Sequence, residues 1–379
     1  TASPYAVPRL LSQLLEQLAA QNPHTEVIAV SPGAEKIPGV RNASAQITWS
    51  TRTRCRLRNH RGVRSVCGPS DIASTIAFQY ARAALQAFAS DQGAQTVVVA
   101  ATMSVALLAQ KMLPQACVVY WVQGMPRLGQ ESLASSAVNA CHGIVAPSRA
   151  IYRDLFQLIC RDRFTPPVWV IPNTIDQSQF KTESEATIQA TRQRLGIGEQ
   201  DIAVMHIGRA PEKGLKIIET ALAVGEFDRR VVLVSAGGPT PNRRHINQHT
   251  EVLETGRVAP QELNQIYQAC SIGVVPSVWW ENCPVALIEM MSLGLCPIGS
   301  RVGGIPEMIE HGESGLLVDS PNDAQAWASA LHTVISDAAL RQRLATAAKS
   351  SMQTRFSASR SIEQWCQVLN TVPLSNRML

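Results

Sequence analysis

The sequence predicts an α/β protein built on two successive doubly wound parallel sheets, and three observations carry that expectation. Short β-branched apolar runs recur along the chain, as expected for parallel strands buried on both faces. Longer amphipathic stretches alternate with them, giving a βαβ succession. One polar stretch without a strand, residues 176–201, interrupts the alternation, which then restarts. In chain order, residues 10–20 are helical in pattern, EVIAV (26–30) is a short strand and residues 72–89 are a helix. TVVVAA (96–101), VVYWV (118–122), GIVAP (143–147) and VWVIP (168–172) are the further strands of the first half, with a helix over 148–159. IAVMHIG (202–208), VVLVSAGG (231–238), EVLETG (251–256), SIGVVPS (271–277), LCPIGS (295–300) and GLLV (315–318) are the strands of the second, and residues 357–372 form a last amphipathic helix. The expected boundaries are an N-terminal domain over 1–177, a second over 178–355 and a tail over 356–379 that packs back on the first. Open sheets of this kind bind ligands at the carboxyl ends of their strands, so the expected site lies where the two domains face each other.

The 379 residues are 45% hydrophobic and 17% charged, which supplies packed cores and excludes an intrinsically disordered chain. No run approaches the roughly 20 apolar residues of a membrane span. The longest candidate, residues 97–109, carries Thr102 and Ser104 and reads as a strand running into a helix. A net charge of +5 is compatible with acidic ligands and demands none. Nine scattered cysteines, never spaced C-x-x-C, argue against a disulfide framework or structural zinc and for a reducing, cytoplasmic setting. The first apolar stretch contains Gln13 and Glu16 and is no signal peptide. The chain opens at Thr1 without an initiator Met, so upstream sequence is expected.

The most informative segment is WWENCPVALIEMMSLG (279–294). Glu281 lies in a loop at a strand's carboxyl end, Pro284 suits the start of a helix, and Glu289 lies inside that helix. A carboxylate can accept two hydrogen bonds from the vicinal diol of a ribose or hexose. Spacing alone leaves equally open a surface loop glutamate and a helix glutamate with a basic partner. GRAPEKG (208–214) places Arg209 and Lys213 between a strand and a helix N-terminus, a setting for a diphosphate that gains charge as it departs. Two surface cations in a loop are the plain alternative. VGGIPE (302–307) offers Gly303 and Gly304 for close backbone approach and Glu307 as an acceptor for a sugar hydroxyl, or simply a tight turn.

None of the ten aspartates forms a D-x-D pair, so no metal is expected and Arg209 and Lys213 become the charge-neutralising groups. The absence of G-x-G-x-x-G, of a G-x-x-x-x-G-K-[ST] loop and of G-x-S-x-G argues against dinucleotide oxidoreductases, P-loop NTPases and α/β-hydrolases. TRTRCRLRNHRGVR (51–64) packs together Arg52, Arg54, Arg56, Arg58, Arg61 and Arg64. Its readings are an anionic membrane surface, at about 1 kcal/mol per basic residue, a phosphorylated acceptor, or a solvated loop paired with local acids. With no aromatic residue interleaved to stack bases, nucleic acid is not expected. His245 and His249 stand four apart in a polar stretch without an acidic ligand, reading as a surface helix rather than a metal site, and His206 reads as packed core.

GRAPEKG, SAGGP, VLETGRVAPQELNQIYQACSIGVVPS and ENCPVALIEMMSLGLCPIGSRVGGIPEMIEHGESGLLV follow one another in this order. Together they resemble the nucleotide-binding half of the retaining glycosyltransferases of family 4, the group 1 class. Its GT-B fold has two Rossmann-like domains facing a central cleft. The resemblance covers residues 143–360, including PNTID (172–176), where the family usually has P-N-G-x-D. It implies that Glu289 holds the donor's ribose, that Glu281 faces the transferred sugar and that Arg209 and Lys213 grip the diphosphate. It further implies that the loop of Asn282, Cys283, Pro284 and Val285 offers backbone amides to sugar or phosphate, and that Arg257 and Val258 border the nucleobase. Gly208, Gly303, Gly304 and Glu307 complete the donor side. Gln123, where many relatives have histidine, and Gly124 belong to the acceptor side.

The implied reaction moves a sugar from a nucleoside-diphosphate sugar to a hydroxyl of a glycan or lipid-linked acceptor. The configuration is retained and no metal or other cofactor takes part. The leaving diphosphate helps to deprotonate the incoming hydroxyl, with no covalent nucleophile, and domain closure excludes water. The implied location is the cytoplasm, with docking at the inner face of the membrane if the arginine run serves there. The sequence departs from the family's pattern in the three residues between Arg209 and Lys213, where four or five are common, and in Thr174. Two rival readings remain at this point, a nucleotide-sugar epimerase of the same fold and a catalytically inactive nucleotide-sugar-binding protein.

Overall fold

A computed structural model describes residues 28–30, 41–43, 97–100, 102–124, 126, 130–159, 166–175 and 180–372. The arginine run 51–64, the expected helices 10–20 and 72–89 and residues 176–179 of the polar stretch lie outside the described residues. The chain divides into two compact units, one holding the described residues up to 146 with 152–171 and 362–372, the other holding 147–151 and 172–361.

In the first unit, β1 (Ile28–Val30) and β2 (Arg41–Ala43) form a parallel pair. A four-stranded parallel sheet follows in chain order: β3 (Val97–Ala100), β4 (Cys117–Trp121), β5 (Gly143–Ala146) and β6 (Val168–Val170). Every residue of β4 and β5 is buried, which is why these runs carry no polar alternation. Between strands lie α1 (Met103–Met112), whose first turn is capped by the Thr102 hydroxyl at 3.3 Å from the Val105 amide, and α2 (Glu131–Asn139). α3 (Arg149–Ile159) follows β5.

The second unit opens with α4 (Glu185–Arg194), capped by Ser184. It then alternates β7 (Ile202–Ile207), α5 (Leu215–Val224), β8 (Val231–Ala236), β9 (Asn242–His245), β10 (Thr250–Gly256) and α6 (Pro260–Gln268). β11 (Ile272–Val275), α7 (Val285–Ser292), β12 (Cys296–Ser300), β13 (Leu316–Val318) and α8 (Ala324–Ser336) continue the pattern into α9 (Ala338–Arg355). The sheet has the order β13-β12-β11-β7-β8-β10-β9, parallel throughout except for β9. Neighbouring residues sort to opposite faces. Ala203, Met205, Val232 and Val234 meet Leu287 and Met290 of α7, whereas Val204, Leu233 and Val252 meet Ile218 of α5 and Trp327 and Leu331 of α8. α10 (Ala358–Thr371) ends the described chain and brings Trp365 edge-on to Trp121 of β4, ring centroids 5.4 Å apart, within the first unit.

Two strands differ from the sequence expectation. β2 and β9, neither of them an apolar run, were not expected as strands. The stretch holding His245 and His249 is a hairpin rather than a helix: His245 ends β9, antiparallel to β10, and Asn247 Oδ1 accepts from the His249 and Thr250 amides, each at 2.9 Å. An acid is also at hand, since Glu251 Oε2 lies 3.7 Å from His245 Nδ1. Burial raises the Glu251 pKa, and the Arg243 hydrogen bond with the Arg230 charge outweighs it, leaving this carboxyl below its ordinary value. Among the described residues no helix is long and apolar enough to cross a membrane, and Cys117, Cys141, Cys270, Cys283 and Cys296 are buried thiols.

Candidate functional site

The sheet order fixes where the second unit can hold a ligand. The chain runs outward from β7 to β8 and β10, then returns to place β11 on the other side of β7. The carboxyl ends of β7 and β11 therefore flank a topological switch point, where the connecting loops diverge and leave a crevice. The two motifs singled out in the sequence leave the sheet at these ends.

From β7 the chain passes Gly208 and Arg209, makes a tight helical turn over Pro211–Lys213 and enters α5 through Gly214. Gly214 has φ +75°, and a Cβ there would stand 1.9 Å from the Pro276 carbonyl oxygen, so only glycine lets this turn lie against the end of β11. The Val278 amide donates to the Glu212 carbonyl at 2.9 Å, closing the same contact from the other side. As a result Lys213 Nζ reaches Glu281 Oε1, to which the buried Ser277 hydroxyl also donates. The Lys213 and Glu281 side chains are only 17% and 10% exposed, so each charge depends on the other.

The backbone of Glu281 is held by the turn after β12. A Cβ on Gly303, at φ +52°, would lie 2.2 Å from the Glu281 carbonyl oxygen, and the Gly304 amide donates to that oxygen at 2.7 Å. Asn173 of PNTID donates through Nδ2 to the Cys283 carbonyl at 3.0 Å, fixing the loop from the opposite side. Asn173 itself is buried and its Oδ1 has no partner among the described residues. The Cys283 thiol is pushed up to about 12 by burial and packs against Met308 as a neutral core group. Asn282 is half-buried, Pro284 caps α7 and Val285 begins it. One turn on, buried Glu289 accepts from the Tyr267 hydroxyl of α6 at 2.6 Å.

Arg209 is exposed beside Gly237 at the end of β8, with no hydrogen bond or ion pair to any described residue. Exposed Arg257 and half-buried Val258 follow β10. Glu307 does not join the group as a free acceptor. Its carboxylate accepts from the Arg149 amide at 3.0 Å and the Ala150 amide at 2.7 Å, closing the first turn of α3. Gln123 and Gly124 follow β4 in the first unit, Gln123 half-buried with Nε2 unpartnered among the described residues and Gly124 exposed. His206, read from the sequence as core, is indeed fully buried, yet both ring nitrogens are engaged: Nδ1 lies 3.2 Å from Ser235 Oγ and Nε2 lies 3.1 Å from the Lys213 carbonyl. His206, Tyr267 and Asn173 are thus residues of the site that the sequence reading did not assign to it. Their signal is polar chemistry inside otherwise buried elements. Among the described residues no group of three or more His, Cys, Asp or Glu gathers to hold a metal.

A carboxylate and an ammonium sharing one contact, a second cation in solvent on the same loop and a buried carboxylate on the adjoining helix are groups that can bind a polyhydroxyl ring and a diphosphate. Comparison with known proteins gives this arrangement a context. Residues 201–337 match the family described as "Glycosyl transferases group 1". The D-inositol 3-phosphate glycosyltransferase of Corynebacterium glutamicum (strain R) is 31% identical over 189 residues, 46% of this chain and 45% of that protein. The enzyme of the same name from Corynebacterium diphtheriae is 28% identical over 183 residues, 45% of this chain and 42% of that protein, so the matched part spans less than half of either relative. Among solved structures, Anabaena HepE in complex with UDP and glucose superposes with a TM-score of 0.70 at 19% identity, covering 98% of this chain and 97% of that one. Sucrose-phosphate synthase from Thermosynechococcus elongatus gives 0.74 at 19% identity, covering 94% and 91%. The chain therefore has the GT-B fold of these glycosyltransferases, and its residues 201–337 are matched to the group 1 glycosyl transferases.

Proposed function

We propose that this chain is a retaining glycosyltransferase that moves a sugar from a nucleoside-diphosphate sugar to a hydroxyl of a glycan or lipid-linked acceptor. The observation that carries the reading is the meeting of Lys213 and Glu281 at the switch point between β7 and β11, with Arg209 exposed on the same loop as Lys213. The group 1 match and the HepE structure with UDP and glucose support it.

In this reading Glu289 accepts from the ribose hydroxyls and Arg257 and Val258 border the base. Glu281 accepts from hydroxyls of the transferred sugar, and the Asn282–Val285 loop presents main-chain amides to sugar or phosphate. Arg209 and Lys213 take the diphosphate. The bond from the anomeric carbon to the diphosphate oxygen breaks, and the electron pair leaves with the phosphate. The two cations stabilise that charge without a metal ion. The acceptor oxygen forms its bond on the same face, and its proton passes to the departing phosphate oxygen, so configuration is retained. Donor binding belongs to residues 178–355 and acceptor binding to residues 1–177, where Gln123 and Gly124 lie, with the 356–379 tail as part of that half. The five buried thiols, Cys117, Cys141, Cys270, Cys283 and Cys296, favour a reducing cytoplasmic setting, and the arginine run docks the chain on an anionic membrane.

The test is release of nucleoside diphosphate from UDP-glucose and a panel of other nucleotide-sugars. Lys213→Ala is expected to lower turnover by about 100-fold, the order seen when one group facing developing charge is removed. Glu289→Ala, which loses the ribose contacts, is expected to lower turnover at limiting donor by about 10-fold. Unchanged turnover in both overturns the reading.

A further inference from the structure

We infer that His206 is a positioning residue of this site: by donating to the Lys213 carbonyl it fixes the turn that aims the Lys213 ammonium at the diphosphate. The inference rests on the donor-site reading above and adds a residue to it. A carbonyl oxygen only accepts, so Nε2 at 3.1 Å must carry the ring hydrogen. Nδ1 is then the acceptor, and the Ser235 hydroxyl at 3.2 Å donates to it. With both nitrogens assigned, the tautomer and ring plane are fixed by β8 on one side and by the Lys213 turn on the other.

The position is costly for a merely space-filling residue. β7 is otherwise apolar, reading Ile202, Ala203, Val204, Met205 before the histidine, and His206 is 0% exposed. An aliphatic or aromatic side chain would pack there without desolvation, whereas an imidazole must recover both hydrogen bonds. Burial, helped by the Lys213 charge and opposed by the carbonyl bond and by Glu219, brings its pKa down to about 4. The ring thus stays neutral where the enzyme works, adding no charge that would repel Lys213. Ser235, His206, the Lys213 main chain, the Lys213 ammonium, Glu281 and Ser277 form one polar chain across the ends of β8, β7 and β11. Gly214, with no Cβ to hold it off Pro276, anchors the turn beyond Lys213, and His206 anchors it at Lys213 itself.

The test measures binding of inorganic pyrophosphate, which carries no base, by calorimetry on the full chain. The glutamine amide nitrogen occupies the place of imidazole Nε2, and the asparagine amide the place of Nδ1. His206→Gln is therefore expected to bind pyrophosphate within about twofold of the unsubstituted protein, and His206→Asn about tenfold more weakly. Lys213→Ala should be weaker by at least tenfold. If Lys213→Ala weakens binding while His206→Asn does not, the inference is overturned and the donor site stands. Equal weakening by Gln and Asn overturns it as well, because a packing defect does not distinguish the two amides. If Lys213→Ala binds like the unsubstituted protein, or that protein binds no pyrophosphate, the donor-site reading itself fails and the inference with it.

Discussion

Acidification should destabilise the second unit through His206 in a defined window. In the unfolded chain the imidazole takes up a proton near its ordinary value of 6.5, whereas in the folded unit it does so only at about 4. Between those values the unfolded state binds more protons, so stability must fall as pH falls, by up to about 1.4 kcal/mol per pH unit. Over the whole interval the loss is about 3 kcal/mol, unscreened by solvent because the ring is completely buried. Glu251 acts in the same direction but lower down. Its depressed carboxyl pKa keeps its stabilisation intact above 4.5 and loses it only below. The measurement is the thermal midpoint of the unsubstituted protein and of His206→Gln at pH 7.5, 6.5, 5.5 and 4.5. The variant starts lower and should lose less, so the gap between the two narrows by about 5–8 °C from pH 6.5 to 4.5, at roughly 2–4 °C per kcal/mol for a unit of this size. A gap that stays constant across that window would refute the claim that a neutral, doubly bonded imidazole sits in β7.

Two further outcomes follow from the site's geometry. Glu307→Ala removes both acceptors from the first turn of α3, which should cost about 1–2 kcal/mol and lower the midpoint by a few degrees. Reduced turnover with an unchanged midpoint would instead return Glu307 to the donor side. Lys213→Ala strands a buried carboxylate and should cost up to about 3 kcal/mol, and Glu281→Ala in the same chain should restore part of it. Additive losses in that double-mutant cycle, read from denaturant midpoints, would mean that the pair is not coupled.

The parallel strands were legible because burial on both faces leaves uninterrupted apolar runs: IAVMHI, VVLVSA and IGVV sit within a residue or two of their expected limits. β9 was not, because Asn242, Arg243, Arg244 and His245 carry no apolar pattern. The strand exists through its pairing with β10 and through the ion pairs of Arg244 with Glu219 and of Arg243 with Glu251. The motif order likewise put Lys213 and Glu281 at the ends of strands. That those strands are neighbours is a property of the sheet order, and that the two charges touch depends on two glycines whose missing Cβ atoms admit a backbone.

A more general limit explains what stayed hidden. His206 binds the Lys213 carbonyl, Asn173 binds the Cys283 carbonyl 110 positions away, and Glu307 binds the Arg149 amide 158 positions away. Each partner is a main-chain atom that almost any residue type supplies, proline lacking only the amide hydrogen, so no pattern of paired side chains marks the contact. The polar half of each contact is nevertheless visible in the sequence. A histidine inside IAVMHI or an asparagine in PNTID must find a partner once its element is buried, since an unpaired polar atom costs about 1–3 kcal/mol. Such residues announce that a main-chain segment is being held, and only the fold says which. In this chain two of the three segments so held, the Lys213 turn and the Cys283 loop, are the ones to which the proposed function assigns the diphosphate and the sugar.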